Sequence, residues 1–467
     1  MSLQRPDRPA DRAAELLATR AAFGRVEAAI LARTPEHDLT PSLERIAALM
    51  DLLGSAQRSF GVVHVTGTNG KTSTTRMIEM LLRAHGLNTG RFTSPHLHSI
   101  TERIALNGDP VGMDRFVAGY EDIRPYVELV DERSAAAGGP TMSYFEVLTA
   151  LAYALFADAP VDVAAVEVGM GGAWDATNVA DGQVAVIAPI GVDHQRFLGH
   201  LPVDIATEKA GIIKPGAIVI SAAQHPEVAE VIADAAERLG AALAVEGRDI
   251  GVSSREPGVG GQLLSLRGLA GEYSGVLLPL FGAHQAGNAL LALTAVEAFL
   301  GGGKTALDLD LVREAFAEVT SPGRLEVVRR SPTVLVDAAH NPAGAAALAA
   351  ALAESFPFLR IVGVVAVLAD KDATGILEAL EPVLARVVVS RSTSPRAMDP
   401  ATLGGLAGDL FGESRVSVVA DLPDAVDRAV ELADADSAAG GVGGIVVATG
   451  SVTTAADVRM LLGALDQ

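Results

Sequence analysis

The chain has 467 residues, too many for one hydrophobic core, so two or three domains are expected. Hydrophobic residues make up 49% and aromatics 4%, with no cysteine, which excludes disulfides, cysteine metal sites and a thiol nucleophile. The net charge of −21 argues against a large nucleic-acid interface, though not against small anionic substrates. Met1 to Arg20 is polar, without a signal-peptide core, and no apolar run reaches the ~18 residues of a membrane span, so a cytoplasmic globular α/β protein is expected.

In chain order, residues 1–60 read as helical, with Leu43, Ile46, Leu49, Met50, Leu52 and Leu53 on an apolar face. Thr40-Pro41-Ser42 reads as a helix start, with Thr40 or Ser42 as cap and Pro41 near the first turn. Val62-Val63-His64-Val65 reads as a buried strand, followed by Thr66-Gly67-Thr68-Asn69-Gly70-Lys71-Thr72-Ser73 and a helix ending at Gly86. Strand, glycine loop and helix in that order is what a phosphate-binding loop requires, although Val65 stands where the usual pattern has its first glycine. Gly67 and Gly70 let the backbone approach an anion, and the helix N-terminus aims free N–H groups at it. Lys71 supplies a charge for the terminal phosphates, and the hydroxyls of Thr72 and Ser73 can ligate magnesium. A nucleoside triphosphate is the expected ligand.

Arg91 to His96 reads as a second strand running into a loop; His96 and His98 there are ligands or plain surface histidines. Residues 141–159 read as a helix leading into the strand Val161 to Gly169, whose Glu167 is a carboxylate inside an apolar run. In phosphate-loop enzymes such an acid holds the magnesium that bridges the terminal phosphates. The next strand, Val184 to Ile190, ends near His194, either a ligand or a hydrogen-bonded structural histidine; Lys209 by default reads as a solvated helix residue before the strand Ala217 to Ser221. Arg255 to Gly271 reads as surface strands and turns, and helices follow around Leu290 to Leu300 and from Asp308 to Val319. Ser321-Pro322-Gly323-Arg324 is a breaker cluster that divides residues 1–320 from 321–467. Beyond it strands recur at Val334–Asp337, Ile361–Leu368, Val387–Ser390, Val416–Val419 and Gly444–Thr449 with helices between. The expected fold is α/β: a larger N-terminal phosphate-loop ATPase domain on a mostly parallel sheet, and a smaller C-terminal doubly wound domain that completes its site.

Gly67 to Ser73, Ser94-Pro95-His96-Leu97, Glu167-Val168-Gly169-Met170-Gly171-Gly172, Asp175-Ala176-Thr177-Asn178 and Asp337-Ala338-Ala339-His340-Asn341-Pro342 occur together in this order. The set resembles the folylpolyglutamate synthase/dihydrofolate synthase family, relatives of the Mur peptidoglycan ligases, from about residue 40 to the C-terminus. The resemblance implies an ATP-dependent ligase that adds L-glutamate to dihydropteroate, to reduced folates, or to both, through an acyl phosphate, and that acts as a monomer. It implies that Thr68, Asn69, Gly70, Lys71, Thr72 and Ser73 hold the ATP phosphates, with Asn288, Arg324 and Asp337 as further ATP contacts. Ser73, Glu167 and His194 would ligate magnesium (two ions are expected), with Thr72 the chemically equivalent hydroxyl. Leu39, Thr40, Ser42, Phe145, Trp174 and Asp175 would surround the pterin, and His340 would help hold glutamate. Lys209, in Glu208-Lys209-Ala210-Gly211, resembles the family's modified lysine and would carry a carbamate formed from carbon dioxide. A Mur-type ligase acting on another carboxylate, or a regulatory nucleotide-binding protein, are the alternatives.

Overall fold

The first sheet, whose central strands β1, β5, β6 and β7 are β-branched and alanine-rich, consists of β1 Gly61–Thr66, β2 Thr89–Phe92, β3 Ile104–Leu106, β4 Asp109–Pro110, β5 Val163–Glu167, β6 Val184–Ile187, β7 Ile218–Ser221 and β8 Ala242–Val245. They are ordered β4-β3-β2-β5-β1-β6-β7-β8, parallel from β2 to β8, with β3 and β4 joined antiparallel at the edge. The computed structural model describes residues 9–35, 40–357, 359–438 and 443–464. Leu39, expected near the pterin, lies outside them.

The inner strands read as unbroken apolar runs because helices cover both faces of the sheet. Successive side chains go to opposite faces. Val63, Val65, Val163 and Ala165 enter a core with the helices Lys71–Ala84 and Ala283–Gly301, whereas Val62, Ala164 and Val166 face the helices Glu44–Leu52, Met113–Ala136 and Tyr144–Asp158. The helix expected from Thr40 starts instead at Glu44: Leu43 is its N-cap, and the Ser42 hydroxyl accepts from the Glu44 N–H at 3.1 Å. The helix Tyr144–Asp158 opens on a reciprocal capping box between Ser143 and Glu146. The Gly-rich region after residue 250 forms an antiparallel sheet of β9 Gly251–Gly258, β10 Gly261–Arg267 and β11 Glu272–Leu278.

The separate C-terminal α/β domain is built on β12 Glu326–Arg330, β13 Thr333–Val336, β14 Ile361–Val365, β15 Arg386–Val389, β16 Val416–Val418 and β17 Ile445–Thr449, ordered β12-β13-β17-β14-β15-β16. All its pairs are parallel except β12 with β13. No helix among the described residues is long and apolar enough to cross a membrane. Parallel strands leave their ligand crevice at their carboxyl ends. In the first sheet those ends carry the phosphate loop after β1 and Glu167 as the last residue of β5.

Candidate active site

The phosphate loop turns on two left-handed glycines, Gly67 at φ +148° and Gly70 at φ +87°. Gly70 is the N-cap of the helix Lys71–Ala84, and a Cβ there would stand 2.4 Å from Asn288 Oδ1. Only glycine lets Asn288 pack against the loop so closely. The Thr68 N–H donates to Pro189 O at 2.9 Å, and its hydroxyl to Gly191 O at 2.8 Å, which ties the loop to the end of β6. Lys71 curls over the loop, donating from Nζ to Gly67 O at 3.1 Å and Thr68 O at 3.2 Å. Burial pushes its ammonium below the usual lysine range, opposed by the charges of Glu167 and Asp193.

Glu167 is buried and joins two segments: Oε1 accepts from the Thr72 hydroxyl at 2.9 Å, and Oε2 from the Ser94 N–H at 3.1 Å. Burial pushes its carboxyl up, against Lys71 and these two hydrogen bonds. A buried carboxylate beside a hydroxyl is the hard oxygen donor set that magnesium takes, so these residues fit the ion. The Ser73 hydroxyl lies elsewhere, 2.9 Å from Ser321 Oγ and 3.5 Å from Gln285 Nε2, so Thr72, not Ser73, shares the position with Glu167. His194 adopts a left-handed φ of +51° ahead of the short helix Gln195–Leu198, and burial pushes its imidazole down to about 4 against the pull of Asp193. No group of three or more His, Asp or Glu side chains is already gathered for a metal among the described residues.

Lys209 is not the solvated residue its helical setting suggested. It is buried, and its Nζ donates to Gly67 O at 2.8 Å under the phosphate loop. Burial, then the charge of Lys71, pushes its ammonium down to about 7. A void of about 10 Å³ borders it, bounded also by Lys71, Asp193 and His194. The Gly171-Gly172 segment packs on this helix: a Cβ on Gly172 would lie 2.8 Å from Lys209 O. Glu208 Oε1 accepts from the N–H groups of Gly172 and Trp174 at 3.3 and 3.1 Å. Asp175 accepts from the N–H groups of Met170 and Thr177 at 2.9 and 3.0 Å.

The second domain supplies the facing wall. Asp337, past β13, accepts from the N–H groups of Leu325 and Ala339, both at 2.8 Å; burial pushes its carboxyl up, and the Arg324 guanidinium opposes this. Asp193 joins the domains. It receives Lys371 Nζ at 2.5 Å and Asn341 Nδ2 at 3.1 Å, with His340 Nε2 3.4 Å away. Burial alone would push the Asp193 carboxyl up, but the hydrogen bond from His340 and the charges of His194 and Lys371 hold it far below the usual range. Asn341 also exchanges amide hydrogen bonds with Asn69 of the phosphate loop at 3.1 and 3.2 Å.

One cavity of about 1050 Å³ runs between the domains. Thr68 to Ser73, Glu167, His194, Asn288, Arg324, Asp337 and His340 all line it, as do Phe145 and Asp175 on the side expected for the pterin. Thr40, Ser42 and Trp174 do not. Trp174 packs on Met170, Leu198 and Ile205, Thr40 is exposed, and Ser42 is spent on its own helix start. His96 lines the cavity and accepts at Nδ1 from Arg103 Nε at 2.9 Å, whereas His98 reaches Arg459 of the second domain at 2.9 Å. Ser94, Asp193, Glu246, His284 and Lys371 also line the cavity, though no local pattern in the sequence marks them individually as site residues. Ser94 lay inside a motif already singled out and Asp193 stands beside His194, but Lys371 becomes visible only once it meets Asp193.

Residues 323–452 match the family model described as Mur ligase, glutamate ligase domain. The dihydrofolate synthase/folylpolyglutamate synthase of Mycobacterium tuberculosis is 53% identical over 447 residues, 92% of each chain. The Bacillus subtilis protein of the same name is 33% identical, covering 90% of this chain and 95% of its own. The solved Mycobacterium tuberculosis folylpolyglutamate synthase complexed with ADP and AMPPCP superposes with a TM-score of 0.91 at 52% identity, over 95% of this chain and 99% of that one. A structure described as an FPGS–AMPPCP–folate complex superposes with a TM-score of 0.79 at 30% identity, over 94% and 99%. With its phosphate loop, its buried Glu167 and a second domain closing over both, the chain belongs to the dihydrofolate synthase/folylpolyglutamate synthase family of ATP-dependent ligases.

Proposed function

We propose that this protein joins L-glutamate to dihydropteroate and to the γ-carboxylate of reduced folates at the expense of ATP. The observation that carries this is one interdomain cavity with the Gly67–Ser73 loop and Glu167 on one wall and Arg324, Asp337 and His340 on the other. The relatives named for both activities, and the neighbouring structure of an FPGS–AMPPCP–folate complex, support it.

A carboxylate oxygen is a poor leaving group, so the γ-phosphoryl group passes first to that oxygen and ADP leaves. The glutamate amine then attacks the carbonyl carbon, phosphate departs from the tetrahedral intermediate, and the amine loses a proton. Positioning and charge stabilisation are what the protein must supply. The loop N–H groups hold the β- and γ-phosphates, with Asn69, Thr68 and Gly70 shaping the cradle. Lys71 leaves its resting carbonyl partners to follow the charge on the transferring group. Thr72 and Glu167 would hold one magnesium, and His194 is the candidate for a second; bound there, the cation neutralises phosphate charge. Asn288, Arg324 and Asp337 orient ATP from the helix Ala283–Gly301 and the second domain. Phe145 offers a ring face to the pterin on the β5 side, and His340 faces the incoming glutamate. Lys209, its amine pushed down to about 7, is the proposed carbamate site. The adjoining void of about 10 Å³ is water-sized, so the adduct requires Lys209 to leave Gly67 O. We also propose a domain boundary at 320/321 and a cytoplasmic, monomeric protein.

The test is phosphate release by the purified protein, with product masses, for dihydropteroate plus glutamate and for tetrahydrofolate plus glutamate. Both should turn over and each product should gain one glutamate. Turnover of only one refutes the dual activity, and glutamate-independent hydrolysis with neither refutes the ligase.

A further inference from the structure

The strand order divides the crevice at β1. Toward β5 and β2 the cavity is walled by Glu167, Ser94 and Phe145; toward β6, β7 and β8 it is walled by Pro189, Ala222 and Glu246, each just past its strand. The phosphate loop sits between these arms. The second arm is continued by Gly287 and Leu291 on the helix Ala283–Gly301, a lining of small and apolar groups that suits a flat ring. Its carboxylate is Glu246. The Glu246 N–H donates to Ser221 O at 2.9 Å, extending the β7–β8 ladder and fixing the backbone. One side-chain oxygen is committed: Oε2 accepts from the Ala223 N–H at 3.0 Å. The other, Oε1, lies 3.8 Å from where a Cβ on Gly287 would stand, so the missing side chain keeps that edge of the cavity open beside it.

We propose that Glu246 reads the base of the bound nucleotide, with Oε1 accepting a hydrogen bond from the 6-amino group of adenine. This rests on the reading above that the triphosphate is anchored at Gly67–Ser73. The single uncommitted oxygen decides which purine fits. Adenine offers one exocyclic amine at its 6-position, matched by one acceptor. Guanine places a carbonyl oxygen there, which would face Oε1 acceptor to acceptor. Its own donors, at N1 and N2, lie away from the 6-position, so the ring would have to shift along its edge to bring either of them to Oε1. Glu246 is half-buried in the free protein; a bound ring that presents the wrong edge would cover Oε1 without pairing it, which is how a site built to hydrogen-bond rejects an analogue.

Calorimetric titration with magnesium, ATP and purine riboside triphosphate (adenine without its 6-amino group) tests this without requiring turnover. Wild type should bind ATP about tenfold more tightly than the analogue, as expected for a hydrogen bond to a charged acceptor. In Glu246→Ala that ratio should collapse to within about twofold. In Glu246→Gln the amide oxygen can keep the Ala223 N–H and turn its NH₂ to the base, so preference should move toward inosine triphosphate; this second variant decides the matter should the alanine variant misfold. Discrimination that survives in Glu246→Ala, or equal loss of affinity for ATP and the analogue, overturns the proposal and leaves Glu246 only its contact with the Ala223 loop. Selective ATP binding without glutamate ligation would sink the ligase reading and leave this one standing, whereas failure to bind any triphosphate overturns both.

Discussion

The Thr72 hydroxyl donates a 2.9 Å hydrogen bond to Glu167 Oε1, so the residue after the phosphate-loop lysine and the last residue of β5 occupy one site. The neighbouring Ser73 hydroxyl faces Ser321. Thr72→Val should therefore raise the magnesium concentration needed for half-maximal activity and lower kcat/KM by about tenfold, the scale of one lost ligand or charge-assisted hydrogen bond. Ser73→Ala should cost stability of about 1 kcal/mol with the magnesium requirement unchanged. Magnesium titrations of both variants check this, and a larger shift in Ser73→Ala would return the ligand role to Ser73. Glu167→Gln should lose at least ~100-fold in kcat, because it removes the buried carboxylate that Thr72 meets beside the loop.

Lys209 predicts a dependence on dissolved carbon dioxide. Its amine is pushed down to about 7, so the neutral form that adds carbon dioxide grows as pH rises through that value. Enzyme depleted of carbon dioxide should lose activity and regain it with bicarbonate, more completely at pH 8 than at pH 6. Labelled bicarbonate should give a carbamate carbon resonance that is absent in Lys209→Ala. Full activity without carbon dioxide, together with no such resonance, refutes the modification.

The Asp193–Lys371 pair at 2.5 Å, with Asn341 and His340 beside it, holds the two domains together across the cavity. Asp193→Ala should populate more open arrangements, read as a larger radius of gyration in small-angle scattering of the ligand-free protein. Because the carboxyl is held far below its ordinary value, the unfolded state binds the proton first as pH falls, and the pair's contribution is lost only in strong acid. The wild-type scattering profile should thus be the same at pH 7 and about pH 5. An identical profile for Asp193→Ala would show that other contacts set the closure.

His64 makes a separate prediction about acid stability. It sits in β1, fully buried, with Nε2 2.9 Å from Thr177 Oγ1 and Nδ1 without a partner. Burial, helped by the charge of Lys214, pushes it down to about 3. Between that value and the unfolded value of about 6.5 only the unfolded chain takes up the proton, so stability falls as pH falls through this window, by a few kcal/mol. Thermal unfolding of wild type and His64→Gln at pH 7 and about pH 4.5 should show the smaller drop in the variant. Equal drops would assign the acid sensitivity to other groups.

Residues close together in sequence carried their own evidence. Gly67, Gly70 and Lys71 announce an anion-binding turn because strand, loop and helix are contiguous, and Glu167 stands out because a carboxylate in an apolar run needs a partner. The Ser321–Arg324 breaker cluster was legible for the same local reason, and β12 begins two residues later. Side-chain direction and long-range partners were not legible. Thr72 and Ser73 are adjacent, yet a helix turns successive residues by about 100°, which sends one hydroxyl to Glu167 and the other to Ser321. Lys209 looked solvated until Gly171-Gly172 let its helix pack beneath the loop. Trp174 and Asp175 are neighbours, but only Asp175 lines the cavity, since the indole packs against Met170, Leu198 and Ile205. Asp193 and Lys371 are 178 residues apart, and no local pattern pairs them. Their meeting depends on how two separately built sheets face each other across one crevice, which packing alone decides.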